Sequence, residues 1–205
     1  MKPIICLDGD GVLLDFHLAY RHAWHKAFGV LPDIKDPQAY WPIDRWDVRK
    51  LESDELDHFR AYFDHGFWAS VPAIPGALEA CNKLADAGYE LVCVTALDTE
   101  FQNARLENLR DGGFPIERVV TTGSMNGQAS PKAEALRQLR PVAFVDDYLP
   151  YMRAIPSDIH AALILREPNG SPNFEDEQTP VHSRHADLFE FAGWWLEGNH
   201  ASKFG

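Results

Sequence analysis

Four places in this 205-residue chain carry side chains that could do chemistry as a set: Asp8-Gly9-Asp10-Gly11-Val12, Thr95, Lys132 and Asp146-Asp147. Carboxylates can serve as nucleophiles, as general acids or bases, and as oxygen ligands for a hard divalent cation. A hydroxyl and an ammonium add a hydrogen-bond donor and a positive charge for an anionic reacting group. The inventory suits attack on a phosphate ester, whose own charge must be neutralised before a carboxylate can approach. Any one of these positions has an ordinary explanation, because Asp and Gly make turns after strands and a helix lysine is commonly solvated. All four, in this order and each beside a predicted strand, are hard to obtain by chance.

The elements that must position them follow from periodicity. Segments 3–7, Glu90–Thr95, Ile116–Thr121, 142–145 and 161–165 are short apolar runs rich in β-branched residues and are predicted as buried strands. Between them come helical patterns. Ala77, Leu78, Cys81, Leu84 and Ala85 share one face, and Gly88 closes that helix. Residues 100–110 run up to Gly112-Gly113, and Pro131 occupies a first-turn position before Ala135, Leu136 and Leu139. Leu188, Phe191, Ala192, Trp195 and Leu196 form a final stripe. This alternation predicts an α/β fold with a doubly wound parallel sheet, whose ligands lie beyond the carboxyl ends of the strands. Residues 15–73 break the rhythm, with helical patterns at 16–28 and 53–63 around a loop containing Pro and Trp. The predicted organisation is a core of 1–14 and 74–205, with 15–73 as a helical cap inserted after the first strand. Residues 167–182 read as a polar surface loop.

Composition narrows the partners. Thirty-one acidic against nineteen basic residues leave a net charge of −12, the wrong field for holding long nucleic acid by its phosphates. A small phosphorylated metabolite held by local cations and a metal is compatible with it. No apolar run approaches the roughly 20 residues of a membrane span, and the stretch before Asp8 is too short for a secretory signal. Cys6, Cys81 and Cys93 are scattered in apolar surroundings and read as reduced thiols of a cytoplasmic protein. His17, His22 and His25 read as solvated or capping residues. His182 and His185 lack a neighbouring acidic or cysteine partner for zinc.

Asp8-x-Asp10-Gly11-Val12, Thr95, Lys132 and Asp146-Asp147 resemble the four motifs of the haloacid dehalogenase superfamily of aspartate-nucleophile hydrolases, over nearly the whole core. The resemblance implies a Rossmann-like core and a mobile cap at 15–73. It also implies Mg²⁺, held by Asp8 and Asp147 side chains and the Asp10 carbonyl, with Asp146 supporting. Asp8 would be the nucleophile and Asp10 the acid and base. Thr95 would donate to a phosphoryl oxygen, Lys132 would stabilise charge, and Gly9 and Gly11 would let the backbone turn closely around the metal. Haloacid dehalogenases typically lack an acid at the position of Asp10, because halide leaves without a proton. An Asp there favours phosphatase chemistry.

Asp15-Phe16, Tyr40-Trp41 and Phe67-Trp68 are similar to aromatic positions of the 5′(3′)-deoxyribonucleotidases, where they enclose the nucleobase. The resemblance therefore implies a substrate site made by Phe16, Tyr40, Trp41 and Trp68 with Ala96, and a nucleoside or deoxynucleoside monophosphate as substrate. The second motif departs from that group, reading Thr95-Ala96-Leu97 where the nucleotidases carry Thr-Ser-Pro. Two alternatives stay open: a non-nucleotide substrate such as a sugar phosphate, or a weak or inactive protein that senses a phosphorylated metabolite. Either a monomer or a homodimer is expected.

Overall fold

The computed structural model describes residues 2–124, 129–174, 179 and 181–200. The elements, in chain order, are β1 (Ile4–Leu7), α1 (Phe16–Phe28), α2 (Pro42–Arg45), α3 (Ser53–Arg60), α4 (His65–Trp68), α5 (Ala77–Asp86), β2 (Glu90–Thr95), α6 (Gln102–Asp111), β3 (Ile116–Thr121), α7 (Ala133–Leu139), β4 (Ala143–Asp146), β5 (His160–Ile164), β6 (Ser183–His185) and α8 (Leu188–Leu196). The strands form one sheet in the order β3-β2-β1-β4-β5-β6, with every pairing parallel. This is the expected doubly wound sheet, extended by β6, which at three residues is too short to leave a periodic signature. The order reverses at β1, which pairs with both β2 and β4. The carboxyl ends of these three strands therefore converge on one crevice.

The central strands are apolar over most of their length, at 4–7, 91–94, 143–145 and 161–164, because both sheet faces are covered there. Ile5, Leu7, Leu91, Cys93, Val145 and Ile164 point into one core with α5 and α8. Cys6, Val92, Val94, Phe144 and Leu163 alternate into the other, against Leu136, Leu149 and Met152. All three cysteines are free and buried, and burial pushes the Cys6 and Cys93 thiols up to about 12. No helix among the described residues is long and apolar enough to cross a membrane.

Residues 15–73 carry α1–α4. On α1, Phe16, Tyr20, Trp24 and Phe28 recur every four residues and make one stripe. That stripe meets Phe59, Phe63 and Phe67, with ring centroids 5.1 Å apart for Tyr20–Phe59 and 6.0 Å for Phe16–Phe67. Asp15 caps α1 by accepting from the Leu18 amide at 2.9 Å, and Gly29 ends it in the left-handed region at φ 73°. Two backbone bonds clasp the ends of this segment to the core: the Asp15 amide to the Pro72 carbonyl (2.7 Å) and the Ile74 amide to the Leu13 carbonyl (2.9 Å).

Candidate active site

β1 runs straight into the Asp8–Val12 turn. The Asp8 amide still donates to the Val145 carbonyl of β4 at 2.9 Å, which registers Asp8 beside the end of β4. The chain then folds tightly back, with the Leu13 and Leu14 amides both donating to the Gly9 carbonyl. Gly11 is required here on two counts. Its φ is 86°, and a β-carbon would lie 2.3 Å from an Asp147 carboxylate oxygen. Gly9 is different: an added β-carbon would meet nothing closer than 3.4 Å, so close approach does not demand glycine there.

Around this turn the four sequence positions meet. Lys132 is not solvated. It is fully buried, with Nζ 2.7 Å from Asp8 Oδ1 and 2.6 Å from Asp146 Oδ2. Burial alone would lower its pKa, but Asp146 and Asp8 outweigh that and hold the ammonium charged. Asp146 spends its other oxygen accepting from the Tyr148 amide at 2.9 Å. Asp147 faces the cavity, and burial pushes its carboxyl up to about 6 against the pull of Arg166. Thr95 is buried at the end of β2. Asp8, Asp146 and Asp147 each offer a carboxylate oxygen within 4.8 Å of the others, and among the described residues this is the one acidic, His or Cys group of metal-binding size.

That cluster fits a hard divalent cation. Three buried carboxylates with oxygens within 4.8 Å of one another repel, and a divalent cation coordinated by oxygen would offset that repulsion. Asp146 is already engaged through both oxygens, which leaves Asp8 and Asp147 as the better placed side-chain ligands.

Asp8, Asp10 and Asp147 floor a cavity of about 370 Å³, walled by Phe16, Tyr40, Trp41, Trp68, Thr95, Ala96, Tyr148, Tyr151 and Arg166, among others, while Lys132 and Asp146 lie outside its lining. All of the sequence-predicted substrate residues reach it, but in different ways. Phe16 and Trp68 stack on each other at 5.9 Å and 18°. Trp41 is 42% exposed and is anchored through Nε1 to the Gly170 carbonyl at 3.0 Å. Tyr40 is buried, its hydroxyl lies 3.3 Å from Asp147 Oδ2 and its ring packs against the Arg166 guanidinium. It supports the acidic cluster as much as it walls the cavity. Phe67 and Trp46 are buried in the packing of 15–73.

Three expectations change. His17 is buried rather than solvated, with Nε2 2.8 Å from the Tyr40 carbonyl, because α1 turns that face towards the cavity. His22 and His25 are exposed. The loop expected on the polar surface at 167–182 is partly a structural buttress. Asn173 is buried, donating to the Asp147 carbonyl at 2.7 Å and accepting from the Leu149 amide at 2.8 Å, and the Asn169 carbonyl accepts from the Tyr40 amide. Its acidic run at 175–177 lies outside the described residues. Finally, two arginines escaped the sequence reading. Arg166 Nε sits 3.0 Å from Asp147 Oδ2, and Arg105 Nη2 holds both Asp10 oxygens at 2.8 and 2.9 Å. Position one or two residues beyond β5 was the available signal for Arg166. Arg105 gave none, since an arginine on a helix is ordinarily solvated.

A model of the family described as 5′ nucleotidase, deoxy (Pyrimidine), cytosolic type C protein matches residues 2–111, which include the first turn, 15–73 and Thr95. The chain belongs to this family. The match to the 5′ nucleotidase, deoxy (Pyrimidine), cytosolic type C family stops before Lys132 and Asp146-Asp147, so it is the geometry that joins those residues to the rest. A relative from Bordetella bronchiseptica, named "Putative 5′(3′)-deoxyribonucleotidase", is 35% identical over 107 residues, 51% of this chain and 55% of the relative. One of the same name from Chlorobaculum tepidum is 26% identical over 92 residues, 45% of this chain and 46% of its own length. The chain thus spans about half the length of the curated relatives it matches. Among solved structures, a haloacid dehalogenase family hydrolase from Deinococcus radiodurans with bound phosphate and sodium superposes with a TM-score of 0.63 at 15% identity, covering 97% of each chain. A haloacid dehalogenase-like hydrolase from Streptococcus pneumoniae gives 0.63 at 16% identity over 95% of this chain and 98% of its own. The fold is that of the haloacid dehalogenase superfamily.

Proposed function

We propose that this protein is a Mg²⁺-dependent phosphatase that hydrolyses a small phosphate monoester, of the nucleoside or deoxynucleoside monophosphate class, through an aspartyl-phosphate at Asp8. The observation that carries the reading is the placement of the buried Lys132 Nζ between Asp8 and Asp146, with Asp8, Asp10 and Thr95 lining the cavity. An Asp8 oxygen attacks phosphorus while Asp10 gives a proton to the departing alkoxide. Asp10 then takes a proton from the water that attacks the phosphoaspartate, releasing inorganic phosphate and restoring Asp8. Lys132 offsets charge on Asp8 and the transferring group, and the Thr95 hydroxyl donates to a phosphoryl oxygen. A divalent ion held by Asp8, Asp147 and the Asp10 carbonyl would neutralise the phosphate and orient it. The family membership and the names of the relatives support the nucleotide class, as do the aromatic walls.

A broad panel of phosphate monoesters, assayed with Mg²⁺ and with chelator, tests the reading. Phosphate release that needs the metal is expected, with nucleoside monophosphates preferred. A preference for sugar phosphates would retain the chemistry and change the substrate. Binding of monoesters without release would favour a sensor.

Substrate choice should lie in residues 15–73, since the floor touches only phosphate and the bridging oxygen. Trp41→Ala is the clean probe because Trp41 is exposed and outside the aromatic packing around Phe63. Nucleotide kcat/KM should fall by roughly 1–3 kcal/mol of base stacking, and a small generic aryl phosphate should lose less. Equal losses on both would count against a nucleobase site.

The metal should depend on Asp147 more than on Asp146. Asp147→Asn should raise the Mg²⁺ concentration for half-maximal activity sharply, and Asp146→Asn less. Calorimetric titration with Mg²⁺ decides it. Affinity lost only in the Asp146 variant would reverse the assignment.

A further inference from the structure

Arg105 takes no part in the reaction just described, yet it heads the fully buried side chains by volume. A guanidinium is kept out of water only where it is paired, and the partner here is Asp10. The pairing is lopsided. Both Asp10 oxygens fall on Nη2, at 2.8 and 2.9 Å, while Nε is buried without a hydrogen-bond partner. Nε lies 3.5 Å from the point a Gly9 β-carbon would occupy. A carboxylate normally meets arginine across two nitrogens. Half of this fork is therefore open, and Nη2 alone holds the Asp10 carboxylate.

The other side of Arg105 faces residues 15–73. Nη1 lies 3.4 Å from Asn108 Oδ1, and Asn108 Nδ2 donates to the Val71 carbonyl at 3.0 Å, next to the clasp at Pro72. The guanidinium carbon is 5.4 Å from the centre of the Trp68 ring, close enough for a cation–π contact. Arg105 does not line the cavity, whereas Asp10 and Trp68 do. One buried cation thus touches the acid of the first turn and an aromatic wall of the cavity, and reaches the end of the inserted segment through Asn108.

We propose that Arg105 is a positioning residue that aims Asp10 at the leaving oxygen and couples that aim to the seating of Trp68 and Val71. The proposal rests on the phosphatase reading. Asp10 has a short side chain on a turn and is 27% exposed, so without a fixed partner its carboxylate would sample several rotamers. Proton donation requires it within hydrogen-bond reach of one oxygen at one moment. A guanidinium fork anchored by Asn108 supplies that restriction, and a lysine ammonium, a point charge on a flexible stem, does not.

The chemistry offers a readout that a merely structural arginine would not move. A p-nitrophenolate leaves without a proton, whereas an alkoxide needs one. Wild type, Asp10→Asn, Arg105→Lys and Asn108→Ala are compared for kcat/KM on p-nitrophenyl phosphate and on an alkyl phosphate, with thermal melts confirming folding. Asn108→Ala leaves Arg105 in place, so the test does not rely on a buried arginine being replaceable. Arg105→Lys should lose about 10- to 100-fold more on the alkyl ester than on the aryl ester, a share of the 10²–10⁴-fold of a general acid. Asn108→Ala should show the same bias more weakly, and Arg105→Lys added to Asp10→Asn should cost little beyond Asp10→Asn alone. Equal losses on both esters in folded variants, or losses that add fully to those of Asp10→Asn, would overturn the positioning role. A wild-type protein inert towards both esters would instead overturn the phosphatase reading itself.

Discussion

Asp8→Asn is expected to leave no measurable phosphate release from any ester. The amide is not a nucleophile, and it removes one of the two best placed anionic ligands of the acidic cluster. It also strips Lys132 of an anionic partner at 2.7 Å, leaving a neutral amide oxygen there and Asp146 as its remaining charge partner. Asn is nearly isosteric with Asp, and its carbonyl oxygen can still accept from the Gly9 amide as Asp8 Oδ1 does at 2.7 Å. The fold should therefore persist, and circular dichroism and thermal melting should match wild type. Loss of a nucleophile with the scaffold intact removes the reaction path rather than slowing one step. The check is a discontinuous phosphate assay at high enzyme concentration, alongside trapping of phosphorylated protein from labelled ester in wild type and variant. Residual turnover within about tenfold of wild type would exclude Asp8 as the nucleophile.

Lys132→Met should be the most destabilising conservative-volume change at the site. The side chain is fully buried and contacts Asp8 and Asp146, while Asp147 lies in the same cluster. Removing one member of a buried ion pair leaves charge with neither water nor partner, which typically costs about 3–5 kcal/mol. Urea unfolding in chelator should register a loss of that order. Adding Asp146→Asn should recover a measurable part of it, because the amide removes one orphaned charge while its oxygen can still accept from the Tyr148 amide. A solvated helix lysine, the ordinary reading of that position, would instead cost less than about 0.5 kcal/mol. The double variant separates the two explanations even if both proteins are inactive.

How much of this was legible in the chain depends on the range of the interaction. The strands were found because a two-sided sheet demands unbroken apolar runs, as in Leu91–Val94 and Phe144–Val145. The helices were found because Gly88 and the helical spacing at 16–28 are local signals, although Pro131, expected in a first turn, lies just before the Lys132 cap of α7. Strand β6 was missed for want of length. His17 was misread because three histidines on one helix give no hint which of them turns inward. That depends on the Tyr40 carbonyl, which lies twenty-three residues away. The loop at 167–182 looked solvated because Asn and Ser are polar, but Asn173 satisfies two buried backbone groups that no apolar residue could.

The first turn, Thr95, Lys132 and the acidic pair were determined by sequence alone, as was their convergence. A parallel sheet places every strand's carboxyl end on one edge, so motifs that follow strands must face the same crevice. Tertiary structure decided the electrostatics. Nothing in the order of residues says that Lys132 lies between Asp8 and Asp146, that Arg166 answers Asp147, or that Arg105 grips Asp10. Charge pairing at these ranges is set by side-chain reach and burial between residues up to 124 positions apart. A linear pattern records neither. The sequence named the candidate groups, and packing assigned each its partner.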